Sequence, residues 1–220
     1  MSDPTPDGDG RATDADTTWA TLFARAAAVA PSEAAVRESV AQSDVDEPAE
    51  SGGDETTPPT DPHEPAPTRV VAAPAVLVAD LFRDGPERAA LDRLREHSWT
   101  TLVASDPLLD AAEGAIRRLA GSADDRLAAD WRRRVERWRE RVVHPAGDDP
   151  TLGSAYRGGA MHVLSADGRL TSAAGGRAVR ARVETSVREP AAFARLFDAE
   201  GLYEHAVGGA YEGPDRDPRA

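Results

Sequence analysis

The sequence contains no cysteine and no lysine, only 5% of its residues are aromatic, and no apolar run approaches the ~18 residues that mark a membrane-spanning helix. Without cysteine there are no disulfides, no thiolate nucleophile and no thiolate metal ligand. The opening stretch, MSDPTPDGDG, has neither a basic n-region nor an apolar h-region. These absences lead us to expect a soluble, cytoplasmic protein with no membrane association. A chain of 220 residues has room for one ordinary domain plus extras.

All 26 basic residues are arginine, set against 39 acids, for a formal charge of −13. Such a lysine-free, acidic composition resembles that of halophilic proteins, in which net negative charge maintains solubility at high salt. It also means that no global basic field recruits a polyanion at low salt. The charge is unevenly placed. Residues 1–68 hold 3 Arg against 15 acids, and the rest of the chain holds 23 Arg against 24. An acidic arm therefore precedes a nearly neutral domain.

Residues 1–16 and 43–68 are dominated by Asp, Glu, Gly, Pro, Ser and Thr, too polar to offset the chain entropy of ordering, and are expected to be disordered. Between them, Trp19, Leu22, Phe23, Ala26 and Val29 recur at helical spacing, and Ser32 restarts a pattern through Val36 and Val40. The expectation is a mostly disordered arm, 1–68, with short helices across 17–42. That helical segment has no core of its own, so it is read as a docking segment for a protein partner, as a lid on the following domain, or as an adventitious helix.

From Arg69 onward apolar runs alternate with amphipathic patterns. Residues 70–78 (VVAAPAVLV) read as a buried strand turning into a helix that ends near Phe82. Asp84-Gly85-Pro86 opens a helix to Glu96, and WTTLVAS (99–105) is a second strand. Leu108, Leu109, Ala112, Ile116 and Leu119 line the next helix, and Leu127, Trp131, Val135, Trp138 and Val142 line a long one. A helix over Leu152–Arg157, strands at HVLS (162–165) and VETSV (183–187), and a helix opened by Pro190 complete the series. Alternating strands and helices predict an α/β fold, a parallel sheet covered on both faces.

Parallel sheets place their sites at the carboxyl ends of strands. Three such ends carry acids here: Asp106 and Asp110 in SDPLLD, Asp148 and Asp149 in GDDP, and Asp167 in ADGR. Clustered carboxylates suit Mg²⁺ or Mn²⁺, which activate water and neutralise charge on phosphate esters. Each acid taken singly is better explained as a helix cap, since Asp106, Asp110 and Asp149 lie in or before first helical turns.

The ordered series VVAAPAVL, LVASDPLLDAAEG, DDPTLGSAYRGGAMHVLSADGRL and VETSVREPAAF resembles the PIN-like family of metal-dependent ribonucleases. That family runs from a strand ending in Asp, through Ser-x-x-Leu-Leu-x-Glu and an Asp before a helix, to Gly-Ala-x-x-Leu-Val-Thr-x-Asp and a strand-Pro-helix. The resemblance implies a three-layer α/β/α domain over 69–207 with strand order 3-2-1-4-5, followed by a tail over 208–220. It implies Mg²⁺ or Mn²⁺ held by Asp110, Asp148 and Asp167, with Asp149 a stand-in and Ser165 a supporting hydroxyl. It also implies RNA as substrate and frequent homodimers. The departure is Ala73, standing where the family has its opening Asp; neither Asp80 nor Asp84 is placed to replace it. Two readings follow: a ribonuclease with weakened phosphodiesterase activity, and a non-catalytic module that binds RNA or protein.

The run RRRVERWRER (132–141) reads as a basic stripe for an RNA backbone or as a solvated helix face with Arg–Glu neighbours, and the second is the commoner case. The histidines at 63, 97, 144, 162 and 205 show no paired ligand spacing, which argues against zinc. His144 lies just before the Asp148 loop. Gly175-Gly176 matches no phosphate loop and reads as a turn.

Overall fold

A computed structural model describes residues 17–43, 57–172, 176 and 185–220. Five parallel strands, β1 (Ala66–Ala72), β2 (Thr101–Ser105), β3 (Arg139–Val142), β4 (Ala160–Leu164) and β5 (Ser186–Arg188), form one sheet in the order β3-β2-β1-β4-β5. The strands are short, and β1, β2 and β4 carry buried apolar residues toward their carboxyl ends, as a sheet buried by helices requires. Helices α1 (Trp19–Val29) and α2 (Glu33–Ser43) precede the sheet; α3 (Pro74–Phe82) and α4 (Pro86–Arg95) link β1 to β2. Then come α5 (Asp106–Ala120), α6 (Leu127–Glu136), α7 (Pro150–Arg157), α8 (Gly168–Thr171), α9 (Pro190–Leu196) and α10 (Ala199–Ala206). The fold is the expected three-layer α/β/α arrangement with a parallel sheet.

Proline sits in the first turn of α3, α4, α5, α7 and α9, where its missing N–H is not needed and its fixed φ suits the helix. The Gly158-Gly159 pair leads into β4 through a place no side chain fits. A Cβ at Gly158 would lie 2.2 Å from Val103, and one at Gly159, whose φ is +60°, would lie 2.5 Å from the Glu64 carbonyl oxygen.

One expected helix ends early. The pattern from Leu127 to Val142 is read above as continuous, yet α6 stops at Glu136 and Arg139–Val142 is strand β3, pairing Leu102–Ser105 of β2. The residues fit a strand because β3 is an edge: Val142 points into the core while Arg139, Glu140 and Arg141 spend their charges on neighbours.

The arm has the two expected short helices, packed on the domain as the lid reading has it, and differs in residues 57–65, which were expected to be disordered. Trp19, Leu22, Phe23 and Ala26 of α1, and Val36 and Val40 of α2, belong to the same hydrophobic core as the sheet. Residues 57–65 are placed too: Thr60 and Val143 exchange backbone-centred hydrogen bonds of 2.8 Å, and His63 N–H donates to the Arg157 carbonyl at 3.0 Å. The stretch beyond 207 is docked, with Asp215 accepting from Ser98 N–H at 2.8 Å and Tyr211 hydrogen-bonded to His97 at 2.6 Å. Residues 69–207 are therefore not the whole folding unit. The disorder expected for 1–16 and 44–56, the turn at Gly175 and the start of the VETSV strand lie outside the described residues.

Arginine side chains bind α1 to the domain. The Arg88 guanidinium lies 3.6 Å from the centre of the Phe23 ring, and that of Arg95 lies 4.1 Å from Trp19 and 4.9 Å from Trp138. Arg95 is itself buried, paired in a fork with the buried Asp80 and 3.0 Å from Asp92. Arg88 donates to the carbonyls of Asp80 and Leu81, so the chain turn after α3 is held by guanidinium groups. Burial pushes the Asp80 carboxyl above its ordinary value, against the opposing pull of Arg95.

Removing one member of such a pair leaves the other charge buried and uncompensated. Arg95→Met is expected to lower unfolding stability by about 3–5 kcal/mol. Asp80→Asn should cost less, because Arg95 retains Asp92 and two indole faces. Urea titration of both variants ranks them; the opposite order would remove Arg95 from its central place.

Candidate functional site

The carboxyl ends of the strands gather the residues singled out above. β1 ends against Ala73, whose N–H donates to the Leu164 carbonyl at 2.9 Å and which caps α3 with no side-chain hydrogen bond. A methyl group thus occupies the position where the resemblance expects an acid. β2 ends in Ser105, the N-cap of α5, whose hydroxyl accepts from Leu108 N–H at 3.4 Å.

Asp106 and Asp110 lie one turn apart on α5, as expected, but both face arginine. Asp106 receives Arg139 and, at 2.5 Å, Arg141, with Arg132 3.5 Å away. Asp110 is exposed and accepts from Arg132 Nη1 at 2.7 Å. Arg132 in turn reaches Glu136 at 2.7 Å, and Arg139 also donates to Glu136 at 2.7 Å and to the Ala104 carbonyl at 2.7 Å. This is a lattice of alternating charge across β2, β3, α5 and α6. Burial pushes the Asp106 carboxyl up, and the hydrogen bonds from Arg141 and Arg139 outweigh it, leaving the group below its usual range. Glu136 is lowered by the same balance of burial against Arg139 and Arg132.

Asp149 caps α7, accepting from Leu152 N–H at 2.8 Å, while Asp148 is exposed in the turn before it, its N–H donating to the Pro145 carbonyl at 3.2 Å. Ser165 is buried after β4, and its hydroxyl accepts from Asp167 N–H at 3.1 Å. The Asp167 carbonyl accepts from Leu170 and Thr171 as α8 begins. Among the described residues, no group of three or more His, Asp or Glu side chains is placed to hold a metal ion. Asp110 and Asp149 are turned to other work, one to Arg132 and the other to a helix cap, and Ala73 offers no oxygen. The donor set as it stands does not fit a divalent cation.

His144 does approach this edge. Its Nδ1 lies 3.0 Å from the Pro145 carbonyl, which can only accept, so in the neutral ring Nε2 accepts from the Ser105 hydroxyl 3.1 Å away. The Ser154 hydroxyl completes the chain by accepting from Ser105 N–H at 3.0 Å. Gly153 makes room, since a Cβ there would lie 2.8 Å from the imidazole. Ser105 is wholly buried, so this chain fixes the β3–α7 turn against β2 rather than presenting a nucleophile. Ser105, Ser154 and Arg139 were not singled out individually from the sequence; the Ser105 N-cap before a Pro and an apolar run was the readable signal.

The Arg-rich run is paired rather than free along most of its length: Arg132, Arg133, Arg139 and Arg141 each bind carboxylates. No helix among the described residues is long and apolar enough to cross a membrane.

A protein family described only as a family of unknown function, DUF7384, matches residues 64–219. The chain belongs to that family. The DUF7384 region starts just before β1 and runs through the docked segment that carries Tyr211 and Asp215, so that segment is part of the family's unit; α1 and α2 fall outside it. No curated protein and no solved structure matches the chain.

The carboxylates Asp106 and Glu136 have lowered pKa values in the folded state, so their contribution is present above the ordinary carboxylate range and lost as pH falls through it. Asp80, raised by burial, works in the opposite sense. Urea unfolding between about pH 3 and 5 should therefore show a gain of stability with pH that Arg139→Gln flattens. An unchanged slope in that variant would mean the charge lattice does not govern acid stability.

Proposed function

We propose that this protein is a PIN-like binding module from the lineage of metal-dependent ribonucleases, and that its strand-end site does not hydrolyse phosphodiesters with bound Mg²⁺ or Mn²⁺. The sheet order 3-2-1-4-5 supports the lineage. The observation that carries the loss of hydrolysis is the pairing of Asp110 with Arg132 beside a methyl group at Ala73. In hydrolysis of this kind the carboxylates hold cations that neutralise charge building on the phosphate. Here the guanidinium groups of Arg132, Arg139 and Arg141 already neutralise Asp106 and Asp110, the acids of the α5 strand end.

The same pairing bears on what is bound. A polyanion such as RNA gains affinity by meeting unpaired cations and releasing counterions. Arg132, Arg133, Arg139 and Arg141 are committed to Asp and Glu, and the whole chain carries −13. The partner favoured by this surface is a protein or small molecule rather than nucleic acid. The partner is not expected on the apolar stripe of α1, which is buried in the domain. We read the lysine-free acidity as adaptation to a high-salt cytoplasm, so assays belong in molar KCl.

The test is the melting temperature of the full chain, titrated with Mn²⁺ at constant ionic strength, for wild type and Asp167→Ala. Ligand at about 100 times its Kd stabilises a native state by about 2.7 kcal/mol, a shift easily seen. We expect no saturable rise, and no cleavage of a single-stranded RNA. A saturable rise that Asp167→Ala abolishes would overturn the reading and restore a working metal site built on Asp148 and Asp167.

A further inference from the structure

α9 and α10 flank an open cavity of about 780 Å³ against β4 and β5. Its walls are apolar, formed by Met161 of β4, Phe193 of α9, Phe197 just after it, Leu202 of α10 and Pro67 at the start of β1. Four ionisable side chains line it: His162, Arg188, Asp198 and His205.

Two of these carry buried polar atoms with no hydrogen-bond partner, His162 Nδ1 and Arg188 Nε. Buried polar groups are nearly always paired, so an orphan on each of two side chains in one cavity marks places a ligand would satisfy. The His162 ring is held edge-to-face by Phe193, with centroids 5.8 Å apart. Burial, and then the neighbouring Arg188, push it down to about 4, so it is neutral near pH 7 and offers hydrogen bonds without charge. Asp198 is already used: it caps α10, accepting from Gly201 N–H at 3.2 Å, and its charge complements that helix end. His205 is exposed at the rim. What remains among the described residues is one guanidinium and one neutral imidazole in an apolar pocket of the size that small molecules occupy.

We propose that this cavity binds a small monoanionic amphiphile, a carboxylate or sulfonate on a ring-sized or short-chain apolar body. The anion meets Arg188, a polar atom of the ligand meets His162 Nδ1, and the apolar body lies against Met161, Phe193 and Leu202. Among the described residues a polyanion finds one arginine here, and a neutral hydrocarbon leaves both orphan atoms unpaired. Arg188 neighbours Ser165, whose N–H donates to its carbonyl at 3.0 Å, but none of the acids of the candidate metal site lines this pocket, so the proposal does not depend on whether those acids bind metal.

The experiment uses the full chain in molar KCl with anilinonaphthalene sulfonate as fluorescent probe, displaced by phenylbutyrate and, in parallel, by the uncharged phenylbutanamide. We expect saturable binding at one site, with phenylbutyrate about tenfold tighter than the amide. Arg188→Leu should bring acid and amide to parity. Leu196→Asp, at an exposed position on the lip, should weaken phenylbutyrate about tenfold or more while the melting temperature stays unchanged. Absence of saturable binding to the folded wild type, equal affinity for acid and amide, or an anion preference that survives Arg188→Leu would each overturn the proposal.

Discussion

Arg95 and the buried Asp80 hold together elements that the chain introduces far apart. The guanidinium is contributed by α4, the carboxylate by α3, a second carboxylate by Asp92, and the aromatic faces by Trp19 of α1 and Trp138 just before β3. Drying such a charge is costly and the compensation comes from geometry: both terminal nitrogens of Arg95 are paired with carboxylates, although its Nε has no hydrogen-bond partner. Arg88 extends the same logic to Phe23 and to the carbonyls that end α3. The helical layer over the sheet is thus organised by two guanidinium groups, with aliphatic residues filling the spaces between.

That reliance follows from composition. A lysine-free chain with few aromatic residues places its rings where they serve twice, as core and as partners for arginine. Three of the four tryptophans show this or a related use: Trp19 and Trp138 meet in an edge contact beside Arg95, and Trp99 stacks with Phe197 and meets Tyr203 below the cavity of α9 and α10. At the strand ends the same guanidinium chemistry converts a row of acids into a closed lattice.

Much of the fold was legible because its signals are local. The apolar runs at Val70 and Leu102, the prolines that open helices, and the alternation of strand and helix all act within a few residues of themselves. Strand β3 was not legible, because Arg139–Val142 continues the helical spacing of Trp131 and Val135 while its strand character comes from pairing with β2, a long-range cause. The arm misled for a related reason. Its flanks are polar, and nothing near Trp19 reveals that Arg95 of α4 and Arg134 of α6 lie over its ring and Arg219 over that of Phe23. At the candidate site the acids were found by type and place, whereas their partners Arg132, Arg139 and Arg141 were read as a face of one helix. Only the break after Glu136 turns Arg139 and Arg141 back toward Asp106.

The contact between α1 and the last residues has a bearing on how the protein comes into being. Ala20 N–H donates to the Arg219 carbonyl at 3.0 Å, and the Arg219 side chain forks onto Asp92 at 2.7 and 2.9 Å while lying over Phe23. Helix α1 leaves the ribosome well before residue 219, and this part of its seat does not exist until that residue has followed. Throughout synthesis the Trp19 and Phe23 face waits for its final cover, so nascent chains should present that face to chaperones, and any extension added beyond residue 219 must leave this seam free to close.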